Sequence, residues 1–200
     1  MKTNYDKVLD EIINKLNGRR PSILLHSCCA PCSTAVITRL KDYFDVTIFY
    51  YNPNIEPLEE YLKRKEEQKR IVSEFGIKFL DCDYENEKFK SMSKGLEDLP
   101  EGGYRCHKCY ELRLIKTALT AKENDFLYFG TTLTVSPYKN SQVLNAIGKD
   151  IEELTKVKFL YSDFKKKEGY KLSIELSKKY NLYRQNYCGC IYSKKQSEQK

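Results

Sequence analysis

Cysteines are the residues of this chain best suited to chemistry, because most of them come in closely spaced groups. The chain has eight cysteines in 200 residues. Seven of them form three groups: Cys28, Cys29 and Cys32; Cys106 and Cys109; Cys188 and Cys190. They lie beside Pro, Gly, His, Arg and Tyr rather than within apolar stretches. Grouped thiols in such segments bind soft metals or exchange electrons. The isolated Cys82 is predicted to be a small packing residue.

A disulfide scaffold is the other explanation for many cysteines, and the predicted compartment argues against it. The first residues form a charged amphipathic pattern without the apolar segment of a signal peptide. No stretch of the sequence approaches the roughly 20 apolar residues that span a bilayer. A chain of this length buries an adequate core without disulfides. We therefore predict a reduced, cytoplasmic protein with no membrane association.

The charge balance suits a polyanionic partner. Lys and Arg total 35 against 28 Asp and Glu, which gives a net charge of +7, and the chain contains 16 Tyr and no Trp. Much of the excess lies in lysine runs at 165–167, 178–179 and 194–195. Such runs are also typical of solvated helix faces, so charge alone does not identify a nucleic-acid-binding protein.

Helix and strand patterns alternate along the chain. Predicted strands cover 23–26, 46–51, 77–80, 126–129 and 158–161. Predicted helices cover 3–16, a segment from Ser33 or Thr34 to 43, then 56–75, 109–124, a segment ending near 147, and 168–180. Residues 81–103 are predicted to be less regular. This alternation predicts an α/β fold, a parallel sheet flanked by helices. We predict one α/β domain over 1–193 and a flexible lysine-rich tail over 194–200.

The cysteines follow predicted strands, which gives them a common location. Cys28 and Cys29 follow the first strand, Cys82 the third, and the polar loop 130–140 the fourth. In parallel sheets functional sites collect beyond the C-terminal ends of the strands. We therefore expect a metal site at this end of the sheet.

The pair Cys106 and Cys109 has the spacing of metal ligands at a helix start. Backbone N–H groups and the helix dipole favour thiolates there, and both sulfurs can reach one metal centre. Half of a zinc site and a thioredoxin-like redox pair are alternatives. With the Cys28 to Cys32 segment, four thiolates can converge, a ligand set that both zinc and an iron–sulfur cluster accept. Adjacent cysteines favour the cluster, because neighbouring side chains tend to diverge.

The third group, Cys188 and Cys190, is predicted to be a redox-cycling pair. One intervening residue is too few for a relaxed disulfide, but Gly189 lets the backbone bend, and a strained bridge is easily reduced. Additional metal ligands or inert thiols remain alternatives. A cluster transfers one electron at a time and a dithiol two, so the combination indicates a reductase.

Four segments of the chain resemble the QueH-type epoxyqueuosine reductases. They are residues 24–33, 104–114, 130–140 and 183–193, in the order typical of the family and spread over nearly the whole chain. The resemblance implies a Rossmann-like fold of the PP-loop or HUP type. It also implies a cytoplasmic enzyme of the last step of queuosine biosynthesis, which removes the epoxide oxygen from epoxyqueuosine at the wobble position of tRNA.

The resemblance further implies cofactors, site residues and partners. Cys28, Cys29, Cys106 and Cys109 match the ligands of a 4Fe-4S cluster, and Cys188 and Cys190 match a redox-active disulfide. A mononuclear iron is also implied, with Cys32 as its candidate ligand. The implied partners are a tRNA, bound through its anticodon loop, and an electron donor that the sequence does not identify. We expect no ATP, because the first turn lacks a Gly-rich phosphate loop.

Substrate contacts are assigned to the loop 130–140. Its hydroxyl, ammonium and amide groups suit a ribose or phosphate, although the loop could simply close the end of the sheet. The candidates are Ser136, Tyr138, Lys139 and Asn140. A proton donor is also needed, and the candidates are His26, His107 and Tyr138.

Two other function classes share part of this pattern. A PP-loop-like tRNA-thiolating enzyme would share the fold and the cysteine chemistry, but it should carry a phosphate-binding loop after the first strand. A zinc-stabilised nucleic-acid-binding module would use four thiolates but would not need the pair Cys188 and Cys190.

Overall fold

A five-stranded parallel sheet organises the computed structural model, which describes residues 2–198. The strands are Ser22–His26 (β1), Asp45–Phe49 (β2), Lys78–Leu80 (β3), Tyr128–Thr131 (β4) and Lys158–Phe159 (β5). Their order across the sheet is β3-β2-β1-β4-β5, and every neighbouring pair is parallel. The predicted α/β, Rossmann-like fold is therefore confirmed.

Helices connect the strands and cover both faces of the sheet. They are Tyr5–Lys15 (α1), Ala30–Leu40 (α2), Leu58–Glu74 (α3), Asn86–Ser93 (α4), Tyr104–Glu123 (α5), Ser141–Thr155 (α6), Gly169–Lys179 (α7) and Ile191–Glu198 (α8). A 3₁₀ turn, Leu133–Val135, follows β4. Within residues 2–198, no helix combines the length and apolar character needed to cross a bilayer.

The central strand β1 is buried on both faces, which explains its continuous apolar sequence. Ile23 and Leu25 belong to one core cluster, together with Val36 of α2. Leu24, which points to the other face, belongs to a second cluster with Leu114 of α5. Successive side chains of a strand alternate between faces, so a strand covered on both sides needs apolar residues at every position.

The strand order places a crevice beside the first cysteines. From β1 the chain moves outward to β2 and β3, and it then returns to β4 on the other side of β1. The loops after β1 and β4 therefore leave in opposite directions, and the gap between them is the topological switch point where ligands bind in such sheets. Residues 27–29 follow β1 and residues 132–140 follow β4, so both segments border this gap.

The start of α2 differs from the prediction. The helix begins at Ala30 with Cys29 as its N-cap, rather than after Ser33 or Thr34. Pro31 lies in the first turn, where backbone N–H groups have no partner within the helix, so the N–H that proline lacks is not needed. The Ser33 and Thr34 hydroxyls donate to the carbonyls of Ala30 and Pro31, at 3.0 Å in each case, so they are not caps.

Three other segments are more helical than predicted. The region 81–103 contains α4, α5 begins at Tyr104 rather than Cys109, and α6 runs on to Thr155. The α5 start is held by buried Arg105, whose guanidinium donates to the carbonyls of residues 96, 97 and 99. Residues 194–198, predicted to be the start of a flexible tail, belong to α8, whereas residues 199 and 200 lie outside the described residues.

Helix α6 continues through Gly148, where it packs closely against the sheet in a way that a sequence pattern does not reveal. A Cβ added to Gly148, in the middle of the helix, would lie 2.3 Å from a ring carbon of Phe159 in β5. Glycine normally weakens a helix interior. Here the missing side chain lets the helix approach the sheet.

We predict that Gly148→Ala destabilises the protein despite the better helix propensity of alanine. Overpacking against the Phe159 ring should lower the free energy of unfolding by about 1–3 kcal/mol, measured by urea denaturation. Lys149→Ala, at the exposed neighbouring position, should change it by less than about 0.5 kcal/mol. An unchanged stability of Gly148→Ala would contradict the packing argument.

Candidate metal and redox site

Three cysteines meet in the turn between β1 and α2. The Sγ atoms of Cys28, Cys29 and Cys32 all lie within 4.8 Å of one another, and those of Cys28 and Cys29 are 3.8 Å apart. Cys29 is extended at the N-cap and Cys32 lies in the first helical turn, so their side chains can point to the same spot. The expectation that the adjacent side chains diverge is therefore wrong for this chain.

The three thiols share protons unequally. The thiol of Cys28 donates to Cys29, and this contact, together with one from Cys32, lowers the pKa of Cys29 well below its usual value. The contact with Cys29 raises the pKa of Cys28, and contacts with Cys28 and Cys29 raise the pKa of Cys32. A group with one readily formed thiolate and two further sulfurs has the donor chemistry of a soft metal site.

The second pair lies on the first two turns of α5. Cys106 and Cys109 are three residues apart, so they share a face of the helix. The N–H of Gly102 donates to Sγ of Cys106 over 3.2 Å. Cys109 is buried, and this burial raises its pKa to about 11. Both residues line a cavity that Cys188 and Cys190 also line.

Arg113 links the two groups of thiols. Its guanidinium is fully buried, which by itself would lower its pKa, but negative charge on the nearby sulfurs of Cys109, Cys188 and Cys28 would raise that pKa above its usual value. Nε donates to the carbonyl of Cys109 over 3.2 Å. Among the described residues, neither Nη1 nor Nη2 has a hydrogen-bond partner.

The unpartnered guanidinium nitrogens provide a test of whether the site fits an iron–sulfur cluster. A buried cation with unused donors needs an anion, because desolvation without a partner is costly. A cluster held by thiolates is a soft, anionic group. The thiols on either side of Arg113 and its free N–H groups are therefore suited to such a cofactor.

The segment of Cys188 and Cys190 is fixed by the long helix α3 and by α8. Buried Arg64 of α3 donates to the carbonyl of Cys188 over 3.1 Å and pairs with Glu60 over 2.6 Å. The N–H of Ser193 donates to Sγ of Cys190 over 3.4 Å. Burial raises the pKa of Cys190 to about 12, whereas Cys188 is only half-buried.

The predicted substrate loop contains residues with different environments. Tyr138 is 80% exposed, whereas Lys139 is buried with Nζ 3.4 Å from Sγ of Cys188. The side chain of Asn140 caps α6 by accepting from two backbone N–H groups, and Ser136 Oγ accepts from the N–H of Tyr138. Of the four candidate substrate-binding side chains, those of Ser136 and Asn140 thus accept hydrogen bonds from the backbone, and that of Lys139 contacts Cys188.

The two histidines differ in what they can donate. His26 is fully buried between the Thr131 hydroxyl and the Tyr51 carbonyl, each 3.1 Å from a ring nitrogen. Burial lowers its pKa to about 3, so the ring is neutral. Its one N–H, on Nε2, donates to the carbonyl of Tyr51. His26 is therefore a poor proton donor. His107, in the first turn of α5, is half-buried.

Cys82 lies apart from the site cysteines. Its thiol donates to the carbonyl of Tyr50 over 3.0 Å, and burial raises its pKa to about 12. It packs against the core cluster on the α5 side of the sheet. These contacts agree with a packing role.

Sequence reasoning missed the two buried arginines of the site. Arg113 lies four residues after Cys109 on the same helix face, a spacing that could have indicated it. Arg64 has no such signal, because it lies 124 residues before the cysteine whose carbonyl it holds.

Gly189 should be intolerant of a side chain. Its φ of +118° is rarely adopted by other residues, and an added Cβ would lie 2.9 Å from Nη1 of Arg64. We predict that Gly189→Ala lowers the free energy of unfolding by about 1–3 kcal/mol, measured by thermal unfolding. Gly95→Ala is the matched control, because Gly95 also has positive φ (+80°) but faces open space. Equal losses in the two variants would argue against the Arg64 contact.

Comparisons with known proteins agree on one family. Residues 23–196 match the family profile described as "Epoxyqueuosine reductase QueH". A protein of that name from Staphylococcus epidermidis is 47% identical over 96% of this chain and 85% of its own length. Another from Thermotoga maritima is 39% identical over 86% of this chain and 90% of its own length.

A solved structure supports the fold alone. It is titled as a predicted subunit of tRNA methyltransferase from Methanocaldococcus jannaschii, and it covers 76% of each chain with a TM-score of 0.52 and 11% identity. The family match extends over the cysteine-bearing turn, the start of α5 and the Cys188 segment. This chain therefore belongs to the QueH family of epoxyqueuosine reductases.

Proposed function

We propose that this protein reduces epoxyqueuosine to queuosine at the wobble position of tRNA. Removal of the epoxide oxygen consumes two electrons and two protons and leaves an alkene and water. The observation that carries the proposal is the family match over residues 23–196, which includes all seven grouped cysteines. The thiols around the buried guanidinium of Arg113 support the same chemistry.

The proposed cofactor is a 4Fe-4S cluster held by Cys28, Cys29, Cys106 and Cys109. Cys32 is the proposed ligand of a second, mononuclear iron, which its contact with Cys28 and Cys29 supports. When bound, these iron centres would supply one-electron transfer and Lewis acidity. Arg113 would donate to the cluster through Nη1 and Nη2, the two groups without a partner in the described chain.

Cys188 and Cys190 are the proposed redox-active pair. Oxidation of two thiols to a disulfide releases two electrons and two protons, which equals the demand of the deoxygenation. Both cysteines line the cavity that Cys106 and Cys109 also line, so electrons would pass over a short distance. An electron donor must then restore the dithiol, and we propose that it acts on the half-buried Cys188.

The proposed tRNA contacts lie on exposed aromatic residues beside the cavity. Tyr138 is 80% exposed next to Lys139, and Tyr104 is 56% exposed two residues before Cys106. Unpaired bases of an anticodon loop stack on such rings, and the net charge of +7 suits the phosphates.

The two alternative functions have less support. A tRNA-thiolating enzyme of the PP-loop type needs a phosphate-binding loop after β1, but the turn Ser27, Cys28, Cys29 contains no glycine. A zinc-stabilised binding module does not account for the pair Cys188 and Cys190 or for the family match.

The proposal is tested by an anaerobic assay of the iron- and sulfide-reconstituted protein on tRNA that contains epoxyqueuosine. We expect queuosine as the product, detected by mass analysis of the nucleosides. Cys28→Ser should lose most of the bound iron and all turnover, because it removes a cluster ligand. Cys82→Ser, which keeps a donor for the Tyr50 carbonyl, should retain both iron and turnover.

Other results would contradict separate parts of the proposal. No queuosine from protein with intact clusters and a working reductant would refute the activity. Bound zinc without iron would favour the binding module. Full turnover by Cys188→Ser would remove the redox pair while leaving the cluster ligands standing.

Phosphate-dominated binding predicts a steep dependence of tRNA affinity on salt. If two or three phosphates are contacted, a fourfold increase in salt concentration should weaken binding by about tenfold, measured by filter binding or fluorescence anisotropy. Counterion release is the physical reason. An affinity independent of salt would show that contacts other than phosphate contacts dominate.

A further inference from the structure

The three lysine runs of the sequence have different surroundings in the folded protein. The first run is largely paired within the chain, since Lys165 and Lys167 contact aspartates over 2.8 and 2.7 Å. The runs 178–179 and 194–195 are exposed. Within residues 2–198, none of these four lysines has a carboxylate at ion-pair distance, in contrast to the first run. Their ammonium groups are therefore open to an anion from outside the protein.

The run 178–179 lies at the end of the sheet opposite the cysteines. It ends α7, and the next residue, Tyr180, contacts the end of α3. The carbonyl of Tyr180 accepts from Arg70 over 3.1 Å, and its ring centroid lies 5.4 Å from that of Phe75. Phe75 immediately precedes the turn into β3, at the edge where the parallel strands start. The cysteine turn follows the other end of the strands.

The run 194–195 lies beside the cysteine cavity. Helix α8 begins at Ile191, directly after Cys190, and the backbone N–H of Lys194 donates to the carbonyl of Cys190 over 3.0 Å. Ser193, the residue before the run, lines the same cavity as the proposed redox pair. Both lysines thus lie within about 1.4 helical turns of Cys190. An anion that they bind would be held at the edge of the site.

One face of α8 is fixed to the rest of the protein. The guanidinium of buried Arg105 lies 4.3 Å from the centroid of the Tyr192 ring. The hydroxyl of buried Ser193 donates to Glu101 over 3.1 Å. Residues 192 and 193 therefore face the protein, whereas the run 194–195 faces solvent. A helix held in this way presents its lysines in one place, which reduces the entropic cost of binding.

An exposed aromatic ring lies close to the same helix. Tyr104 is 56% exposed, and the residue after it, Arg105, contacts Tyr192 of α8. Single-stranded nucleic acids bind to surfaces that combine such rings with cations, because bases stack on the ring while the cations hold the phosphates. Tyr104 and the run 194–195 provide both groups beside the cysteine cavity.

We propose that α8 binds phosphates of the tRNA anticodon loop through Lys194 and Lys195, and so holds the loop over the cysteine cavity. The inference rests on the proposed function, which requires the wobble nucleotide to reach that cavity. Charge complementarity identifies the occupant: two exposed ammonium groups without carboxylate partners in the described chain face a polyanionic substrate. The run 178–179 carries the same charge at the wrong end of the sheet, so it should not contribute.

The first measurement is the affinity of the full-length, iron- and sulfide-reconstituted protein for tRNA containing epoxyqueuosine, by fluorescence anisotropy at several salt concentrations. Each phosphate contact with a single-stranded loop contributes about 0.7 to the slope of log affinity against log salt. Replacing both lysines, by Lys194→Gln with Lys195→Gln, should therefore reduce the magnitude of this slope by about 1.4. It should also weaken binding by at least about fivefold at roughly 0.1 M salt.

Two matched double variants test whether the effect depends on charge and on place. Lys194→Arg with Lys195→Arg keeps both charges and should keep the affinity and the slope. Lys178→Gln with Lys179→Gln removes the same charge at the opposite end of the sheet. It should change the affinity by less than about twofold, because salt screens charges separated by more than about 10 Å. Thermal unfolding of each variant checks that the fold is retained.

The second measurement is anaerobic turnover on the same tRNA with dithionite as the reductant. Lys194→Gln with Lys195→Gln should raise KM by at least about fivefold and change kcat little, because the lost contacts hold substrate and transition state equally. Using a small reductant separates tRNA binding from the docking of a protein electron donor.

Several results would overturn the proposal. They are wild-type affinity and salt slope in the glutamine variant of 194–195, an equal loss in the variant of 178–179, or an equal loss in the arginine variant. Normal tRNA affinity with slower turnover only when a protein donor replaces dithionite would assign the lysines to donor docking instead. A wild-type protein that binds tRNA through 194–195 but forms no queuosine would refute the proposed function and leave the α8 contact standing.

Discussion

The fully buried guanidinium of Arg113 lies within electrostatic range of cysteines from three separate segments of the chain. Cys28 comes from the turn after β1 and Cys188 from the segment before α8, whereas Cys109 lies on α5, the helix that also carries Arg113. Burying a charge costs several kcal/mol unless anions and hydrogen bonds compensate for it. One N–H group is satisfied by a backbone carbonyl, and the remaining donors need an anionic partner. The chemistry of the site and the stability of this part of the core therefore depend on the same group.

The parallel sheet brings these segments together through its strand order. Because β4 lies beside β1 and opposite to β2, the turns after β1 and β4 diverge and leave a gap. The cysteine turn borders this gap on one side, and the loop with Lys139 borders it on the other. α5 packs over β1 and β4 on the same face as the core cluster that contacts Cys28 and Cys106.

The thiols divide into sets with different surroundings. Cys28, Cys29 and Cys32 contact one another and share protons. Cys106 and Cys109 share a cavity with the C-terminal pair. That pair is asymmetric, since a lysine faces Cys188 and a backbone amide faces Cys190.

The sequence by itself determined the alternation of strands and helices, the end of the sheet that carries the site, and the groups of cysteines. These properties depend on local periodicity and on spacing along the chain. It did not show that α5 begins at Tyr104 or that α6 continues past Gly148, because Arg105 and Gly148 make their contacts with residues outside their own helices. Only the tertiary structure decided that Arg113 lies among the thiols and that Lys139 faces Cys188 rather than solvent. The physical reason is that packing between elements determines which group lies next to a buried charge. The sequence of one segment does not contain that information.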